Sequence, residues 1–345
     1  MIFHCELSKE KRKGGLDQAV YDITKTLNDH TRQTHARVGD YPPSTLKGVQ
    51  AVHFHGLWSY KHIRLANWCR RQKIPYIVSP HGMLEPWALG NKYIKKLIHR
   101  IFFTNRYLSS AQTLLATSEI ERENIKRLFP NQSVEMIPLG VRDLPETDPV
   151  TARKFCKVDG STFHLLYLSR IDRKKNLDLL IRALKRVSEE IKQNIRLTII
   201  GDGNNQYLKE CMGLASKVRS KHVEVSFKGP IWDDSKWQWM AAADLFCLPS
   251  SSENFGYAYL ESLAVGTSIL TTRGTPWAQH AREDFIFCAD TDVESIAHEI
   301  VRSRSVTISR KEVIEWVGDN YLWERLVPSY CELYPVFPEH EQAKG

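Results

Sequence analysis

The chain has 345 residues, of which 42% are hydrophobic and 26% are charged, and its formal net charge is +8. This composition argues against a disordered or fibrous chain, and the length is too great for one core but suits two domains of about 150 residues each. No run approaches the roughly 20 apolar residues of a membrane span. Residues 1–5 lack the regions of a signal peptide, and the seven cysteines never form a C-x-x-C pair. We therefore expect a cytoplasmic protein with reduced thiols and no zinc site.

Short apolar segments alternate with helical patterns along the chain. The strand candidates are residues 1–5, 51–54, 76–79, 113–117, 134–137, 164–168, 196–200, 223–228, 245–248 and 268–271. Between most of them, apolar spacing predicts helices, for example over residues 15–27, 62–72, 118–128, 176–190 and 206–218. This alternation indicates parallel sheets with crossover helices on both faces, which is an α/β fold.

The alternating series restarts near residue 160, which indicates a second domain. The segment before it, residues 143–149, contains three acidic residues and two prolines and has the composition of a linker. We predict an N-terminal Rossmann-like domain over residues 1–150 and a C-terminal Rossmann-like domain over residues 151–318. A second linker is expected near Ser305.

All of the excess positive charge lies in the first half of the chain. Residues 1–150 carry 22 Lys and Arg against 14 Asp and Glu, whereas residues 151–345 carry 26 of each. The densest stretch, residues 92–108, has five basic and no acidic side chains, with apolar residues at helical spacing. Such a helix either packs on its own domain with a solvated basic face or attaches to an anionic membrane, where each basic residue contributes about 1 kcal/mol. No nucleic-acid motif is present, so no nucleic-acid partner is expected.

The strongest functional pattern joins a strand to a helix in the second half. Residues 245–248 form the predicted strand, a serine-rich loop follows, and a helix starting at Tyr257 carries Glu261, eight positions after Glu253. Ligands of parallel sheets bind at such strand ends, near helix N-termini. Carboxylates there accept hydrogen bonds from hydroxyl groups, so the pair suits a sugar or ribose. An acidic residue at a solvated helix start is the alternative interpretation.

This pattern resembles the E-x7-E motif of glycosyltransferase family 4, the retaining enzymes of the GT-B fold. Further segments resemble the family pattern in the same order, and together they cover most of the chain: Gly14-Gly15-Leu16, Ser79-Pro80-His81-Gly82-Met83-Leu84, Ser169-Arg170-Ile171-Asp172-Arg173-Lys174-Lys175-Asn176, Ile200-Gly201-Asp202-Gly203 and Arg273-Gly274-Thr275-Pro276-Trp277. The resemblance implies two Rossmann-like, doubly wound parallel-sheet domains facing a central cleft. It also implies a last segment, residues 319–345, whose helix over 321–333 returns to the N-terminal domain.

The resemblance places a nucleotide-sugar donor mainly on the C-terminal domain. It implies that Glu261 holds the ribose hydroxyls and that Glu253 holds the sugar hydroxyls. The neighbouring donor-binding residues would be Asn254, Phe255 and Gly256, and those framing the nucleotide base would be Gly201, Gly203 and Ile231. The segment from Gly201 lacks the third glycine of a dinucleotide-binding motif, so a nicotinamide cofactor is disfavoured.

Two cations, Arg170 and Lys175, follow a predicted strand. Cations at a strand end can neutralise a diphosphate leaving group as its charge develops, without a metal ion. A solvated basic loop is the alternative, because Arg173 and Lys174 are basic too. In the family pattern the functional lysine precedes a glycine. This favours Lys175, since Asn176 stands in the glycine position and tolerates similar backbone angles.

The N-terminal domain would supply the remaining site residues. By resemblance, His81 contacts the donor sugar at the reacting centre, and Gly14 and Gly15 lie near the donor phosphates and the acceptor. A lone histidine is otherwise more often a structural hydrogen-bonding residue, and two glycines also fit an ordinary tight turn. His55 and Trp58 lie at the end of the second predicted strand, and we expect them on the acceptor side.

The sequence thus predicts a retaining, hexosyltransferase-type glycosyltransferase that moves a sugar from a nucleoside diphosphate sugar to an acceptor hydroxyl. The acceptor would belong to lipopolysaccharide, O-antigen, capsule or another lipid-linked glycan, and the enzyme would work at the inner face of the membrane. The D-x-D pattern of Asp290 and Asp292 precedes a helix and is interpreted as a helix start, so no metal and no cofactor are expected. The alternatives are another GT-B enzyme, such as a nucleotide-sugar epimerase or hydrolase, and a non-catalytic nucleotide-sugar-binding scaffold.

Overall fold

A computed structural model describes residues 2–6, 15–30, 34–37, 46, 48–90, 99 and 103–334. Its contacts divide the chain into two compact units. The first unit comprises Met1–Arg142 with Tyr321–Gly345, and the second comprises Asp143–Asn320. The expected second linker near Ser305 is instead a connection between two helices of the second unit, and the chain rejoins the first unit at Tyr321.

The described part of the first unit forms a parallel sheet with helices between its strands. The strands are β1 (Ile2–Glu6), β2 (Thr34–Arg37), β3 (Ala51–His55), β4 (Tyr76–Ser79), β5 (Thr113–Ala116) and β6 (Val134–Met136), in the order β2-β1-β3-β4-β5-β6. The helices are α1 (Gly15–His30), α2 (Tyr60–Gln72), α3 (Pro86–Gly90), α4 (Asn105–Ser109) and α5 (Glu119–Leu128). Every residue of β3, β4 and β5 is buried, as expected for parallel strands covered on both faces.

The second unit has a second parallel sheet. Its strands are β7 (Phe163–Leu168), β8 (Ile195–Ile200), β9 (Val223–Phe227), β10 (Leu245–Cys247), β11 (Ile269–Thr272) and β12 (Ile286–Ala289), in the order β12-β11-β10-β7-β8-β9. Its helices are α6 (Pro149–Cys156), α7 (Leu177–Glu190), α8 (Asn205–Val218), α9 (Ser235–Ala242), α10 (Tyr257–Ala264), α11 (Val293–Ser305) and α12 (Arg310–Tyr321), with short 3-10 turns at Arg173–Lys175 and Pro276–His280.

The order of strands reverses between β7 and β10 in the second sheet and between β1 and β3 in the first. In open α/β sheets, ligands bind outside the carboxyl ends of the strands at such a switch point. Arg170 follows β7, Glu253 follows β10, and His55 is the last residue of β3. The topology therefore brings the predicted site residues to the binding edges of their own sheets.

The C-terminal helix α13 (Trp323–Leu333) packs on the first unit. The N–H of Val141 donates to the carbonyl of Tyr321 at 2.8 Å, and the N–H of Trp323 donates to the carbonyl of Val141 at 2.9 Å. The buried Tyr334 hydroxyl lies 2.7 Å from His53 Nδ1. Within the described ranges, no helix combines the length and the apolar character needed to cross a bilayer.

Candidate functional site

In the second unit, Asn176 joins the loop after β7 to the loop after β10. Its backbone has a left-handed conformation with φ of 52°, which explains why asparagine can replace the glycine of the family pattern. Its side-chain amide donates to the Pro249 carbonyl at 2.7 Å and to Ser251 Oγ at 2.9 Å. The Ser251 N–H also donates to the Lys174 carbonyl at 2.8 Å. Asparagine therefore fixes the two site loops against each other, which glycine could not do.

The two loops bring Lys175 and Glu253 into a short ion pair between Nζ and Oε1. The same carboxylate oxygen accepts a hydrogen bond from Ser250 Oγ at 2.6 Å. Only 13% of the Lys175 side chain and 11% of the Glu253 side chain are exposed, so the pair is weakly screened by solvent. The structure thus joins two residues that the sequence assigned to different parts of the donor.

Arg170 is exposed, in contrast to Lys175. Its carbonyl accepts a hydrogen bond from the Tyr167 hydroxyl at 3.1 Å, which fixes the backbone. Among the described residues, its guanidinium has no ion-pair partner. Arg170 is therefore a cation available to an anionic ligand at the switch point.

Gly201 and Gly203 follow β8, and their backbone packs closely against the backbone on either side of Arg170. Their φ angles are +146° and +158°, and a Cβ atom at these positions would lie 1.9 and 2.2 Å from the carbonyl oxygens of Ser169 and Ile171. Side chains are therefore excluded by the close approach of the backbone. This packing explains both glycines without a ligand. The half-buried Ile231 lies two residues after Gly229, whose carbonyl accepts from the Gly201 N–H at 2.9 Å.

Glu261 points from α10 to a partner that the sequence did not predict. Its residue is 7% exposed, and Lys236 Nζ on α9 lies 2.5 Å from Oε1. Burial raises the pKa of Glu261, while Lys236 acts in the opposite direction. The lysine ammonium also lies 4.5 Å from the centre of the Trp237 ring. Lys236 therefore holds the carboxylate in place and favours its charged form.

The turn between Glu253 and α10 is fixed by its own packing. Gly256 has φ of +81°, and a Cβ atom there would lie 2.5 Å from the Tyr259 ring. The buried Phe255 accepts a hydrogen bond at its carbonyl from Trp277 Nε1 at 2.7 Å. Asn254 is half-buried beside it. These contacts hold the N-terminus of α10 next to Glu253. The free N–H groups at a helix N-terminus can donate to hydrogen-bond acceptors of a ligand.

In the first unit, His81 follows β4 in an unusual backbone conformation. His81 and Gly82 have φ of 52° and 74°, and a left-handed backbone is uncommon for a histidine. The Gly82 N–H donates to Glu121 Oε1 at 2.6 Å, while Glu121 Oε2 accepts from the N–H and the hydroxyl of Thr117 at 2.8 and 2.9 Å. Burial raises the pKa of Glu121 to about 7. Sequence reasoning missed this carboxylate, which ties the His81 turn to the end of β5.

Beside this turn lies a cluster of buried imidazoles. His55 Nδ1 lies 3.0 Å from His81 Nε2, and His55 Nε2 lies 3.0 Å from His4 Nδ1. His53 contacts the Tyr334 hydroxyl and Ser79 Oγ, each at 2.7 Å. Burial lowers the pKa of His81 to about 3 and that of His53 well below its usual range. The rings of these two residues are therefore neutral.

The cluster changes the interpretation of His55. His55 is 5% exposed, and both of its ring nitrogens lie within hydrogen-bond distance of other imidazoles. This is a supporting position rather than the predicted contact with an acceptor. Trp58 is half-buried, has φ of 60° and meets His99 edge to face at 5.6 Å. Gly15 is the first residue of α1. Gly14 and most of the basic stretch 92–108 lie outside the described residues.

Among the described residues, one group has the composition of a metal site. The ring nitrogens of His4, His53 and His55 lie within 4.8 Å of one another. However, both nitrogens of His53 and of His55 already lie within hydrogen-bond distance of protein groups. Hydrogen bonding within the cluster thus accounts for these side chains without an ion. Asp292 accepts from the Ser295 N–H at 2.8 Å as the N-cap of α11, which confirms its interpretation as a helix start.

Two family models match the chain, one in each unit. Residues 30–140 match the glycosyl transferase 4-like domain, and residues 151–315 match the glycosyl transferases group 1 family. Residues 30–140 are thus similar to glycosyl transferase 4-like domains, and residues 151–315 are similar to group 1 glycosyl transferases. Membership of family 4 in particular stays a prediction.

Individual relatives and solved structures agree with these domains. The chain is 25% identical to an uncharacterized glycosyltransferase of Methanocaldococcus jannaschii, over 84% of this chain and 74% of that protein. It is 28% identical to the alpha-monoglucosyldiacylglycerol synthase of Streptococcus pneumoniae, over 65% of this chain and 52% of the synthase. The Anabaena protein HepE, solved with UDP and glucose, superposes with a TM-score of 0.76 at 16% identity, over 97% of this chain and 99% of HepE. The predicted GT-B fold is confirmed.

Proposed function

We propose that this protein is a retaining glycosyltransferase that uses a nucleoside diphosphate sugar as donor. The proposal rests on a group of charged side chains at the switch point of the second sheet. There, an exposed Arg170, which has no ion-pair partner among the described residues, accompanies two largely buried carboxylates, Glu253 and Glu261, each held by a lysine. An available cation suits a diphosphate, and oriented carboxylates suit ribose and sugar hydroxyls. HepE, which has the same fold, was solved with UDP and glucose.

Each charged group then has a separate task. Glu261 accepts hydrogen bonds from the ribose, and Glu253 accepts hydrogen bonds from the transferred sugar. Arg170 binds the diphosphate from the solvent side. Lys175 has three N–H donors, so it can hold Glu253 with one and bind a phosphate oxygen with another. The N–H groups of Phe255 and Gly256 donate to the same sugar.

The chemical step in this proposal needs no metal ion or cofactor. As the bond between the sugar and the diphosphate breaks, negative charge develops on the phosphate oxygens. Arg170 and Lys175 stabilise that charge, which is electrostatic catalysis by groups already in place. Glu253 stays a hydrogen-bonding residue. The acceptor hydroxyl attacks from the face from which the leaving group departs, and its proton passes to the departing diphosphate oxygen. Turnover should therefore persist in EDTA; loss in chelator with recovery on adding Mg²⁺ or Mn²⁺ would contradict this.

The acceptor is proposed to be a lipid-linked glycan, in lipopolysaccharide, O-antigen or capsule synthesis, at the cytoplasmic face of a membrane. The similar protein of Streptococcus pneumoniae is named for a lipid product, and the first half of this chain carries the whole positive excess. Basic residues at 92–108 would attach to anionic headgroups. Sedimentation with phosphatidylglycerol vesicles but not with phosphatidylcholine vesicles is expected, and equal behaviour with both would remove the membrane contact.

The donor site is tested by thermal shift with a panel of UDP-, GDP- and ADP-sugars. A ligand that binds only the folded state raises the unfolding midpoint. We expect one nucleotide class to raise it, and Arg170→Ala to abolish the shift. Arg173→Ala is the matched control, because Arg173 lies on the same loop but pairs with Glu210 at 2.7 Å. Donor consumption that no acceptor accelerates would indicate an epimerase or hydrolase. Binding without turnover of any donor would indicate a scaffold, and no shift at all would contradict the proposed site.

A further inference from the structure

Three imidazoles form a continuous row in the first unit. The contacts run from His4 Nδ1 to His55 Nε2 and from His55 Nδ1 to His81 Nε2, each at 3.0 Å. Successive rings are nearly parallel, with interplanar angles of 14° and 16°. His4 is fully buried on β1, whereas His81 lies at the carboxyl end of β4. The row therefore leads from the interior of the unit to the predicted ligand-binding edge of its sheet.

An uncharged imidazole carries one N–H and one accepting nitrogen, so the hydrogen bonds of the row are coupled. If His81 Nε2–H donates to His55, then His55 must donate through Nε2 to His4, and all three rings are Nε2–H tautomers. In the opposite direction, His4 donates through Nδ1 and His55 through Nδ1, and all three are Nδ1–H tautomers. A charged ring at such depth would be costly. The row thus has two states, and neither mixes tautomers.

A ligand at the binding edge would meet the row at His81. His81 Nδ1 is buried and has no hydrogen-bond partner within the described part of the chain. Leaving a buried polar atom unpaired is unfavourable. The strained φ of 52° at His81 adds to this cost, and such strain concentrates at functional sites. A hydroxyl of a bound sugar is the kind of group that would supply the missing hydrogen bond.

We propose that His4 and His55 are positioning residues that set the tautomer of His81, and so decide whether its Nδ1 donates to or accepts from a sugar hydroxyl. The contact with a sugar rests on the proposed function, whereas the shared tautomer does not. The hydrogen bonds alone couple the tautomers, so a merely structural row would also share one tautomer, and only turnover separates the two roles. His53 lies outside this coupling, because its partners Ser79 and Tyr334 are hydroxyl groups that can donate or accept.

Nitrogen-15 NMR of the full chain labelled at histidine tests the row without any ligand. His164 is an internal standard, because its Nδ1 lies 3.0 Å from the carbonyl oxygen of Ala242, which only accepts, so it must be the Nδ1–H tautomer. We expect His4, His55 and His81 to share one tautomer, and His4→Phe to change the tautomer of His81. Mixed tautomers, an unchanged His81 in the variant, or a stoichiometric metal ion on these rings would overturn the proposal.

Turnover separates positioning from simple stability. With donor hydrolysis as the assay and UDP-glucose as the first probe, His4→Phe should lower kcat about tenfold and change KM little. His4→Asn should recover most of the loss, since its amide can either donate or accept near the former Nδ1. Ser79→Ala is the matched control, because it removes the hydrogen bond between Ser79 Oγ and His53 Nε2, 2.7 Å in length, in the same cluster. Equal loss of kcat in Ser79→Ala and His4→Phe would show a structural role only.

The two proposals fail in different ways. A shared tautomer in a protein that binds no nucleotide sugar would refute the proposed function and keep the row. Donor binding and turnover in a protein with mixed tautomers would refute the row alone.

Discussion

The binding edges of the two sheets carry opposite kinds of chemistry. In the second unit the edge is ionic, with Lys175 on Glu253, Lys236 on Glu261, and an exposed Arg170. In the first unit the edge after β4 is a row of neutral rings. Charged groups attract an anionic ligand and respond to charge-changing mutations, whereas neutral rings carry no net charge and orient hydroxyl groups by hydrogen bonds. In the proposed function, the electrostatic part of ligand binding would therefore belong to the second unit.

The largest effect is expected from Glu253→Gln. The amide keeps the shape but removes the charge that orients Lys175 and that, in the proposed site, accepts hydrogen bonds from the sugar, so turnover should fall roughly 100-fold or more. The affinity for free nucleotide, measured by calorimetry, should stay within about threefold, because the nucleotide contacts lie elsewhere. Ser250→Ala, which removes one hydrogen bond of 2.6 Å to the same carboxylate, is the milder control. Equal losses in turnover and nucleotide affinity would move Glu253 to a binding role.

Gly201→Ala tests whether the ionic edge depends on backbone packing. The new methyl group would overlap the Ser169 carbonyl oxygen, 1.9 Å from the Cβ position. We expect the free energy of unfolding to fall by roughly 3 kcal/mol, measured by urea denaturation, with a further loss of donor binding as the Arg170 loop shifts. Gly213→Ala on α8 is the control, because nothing lies within 4 Å of its Cβ position and alanine favours a helix. A stable Gly201→Ala protein would contradict the packing role.

Glu121→Gln tests the neutral edge through pH. Burial raises the pKa of Glu121 in the folded protein from 4.5 to about 7. Because the folded state binds the proton more tightly, this group stabilises the fold below about pH 4.5 and loses that contribution as the pH rises through 7. The loss amounts to about 3 kcal/mol at most.

In Glu121→Gln, that part of the pH dependence should disappear. The variant should also be less stable at every pH, since its NH₂ group would face an N–H donor of Gly82 or Thr117. Thermal unfolding from pH 4 to 8 measures both effects, with the exposed Glu135→Gln as the control for loss of a charge. A variant with the pH profile of the wild type would show that Glu121 is not the titrating group.

Local patterns predicted most of the fold, and contacts between distant segments explain the rest. Two strands were missed: Thr34–Arg37, which has no apolar alternation, and Ile286–Ala289, a short apolar run whose periodicity alone does not identify a strand. The spacing of Glu253 and Glu261 was visible because both lie on one strand-loop-helix element. Lys236 was not, because a lysine on a surface helix gives no local signal of the carboxylate it meets 25 positions later. Glu121 was missed because it appears in sequence only as an acidic residue at a helix start.

The smallest effect separates the two lysines of the ionic edge. Lys236→Met removes the ammonium that opposes the burial of Glu261, so the pKa of Glu261 should rise further and the ionised form should be lost at higher pH. UDP affinity should therefore fall about tenfold near neutral pH and recover partly as the pH rises, measured as Kd from pH 6 to 9. Lys228→Met is the matched control, since its ammonium lies 5.7 Å from the Trp239 ring centre and pairs with none of the carboxylates described here. A pH-independent loss in Lys236→Met would mean that Lys236 contacts the nucleotide itself. An unchanged Kd would mean that Glu261 needs no cation, and the ionic edge would then reduce to Arg170 and Lys175.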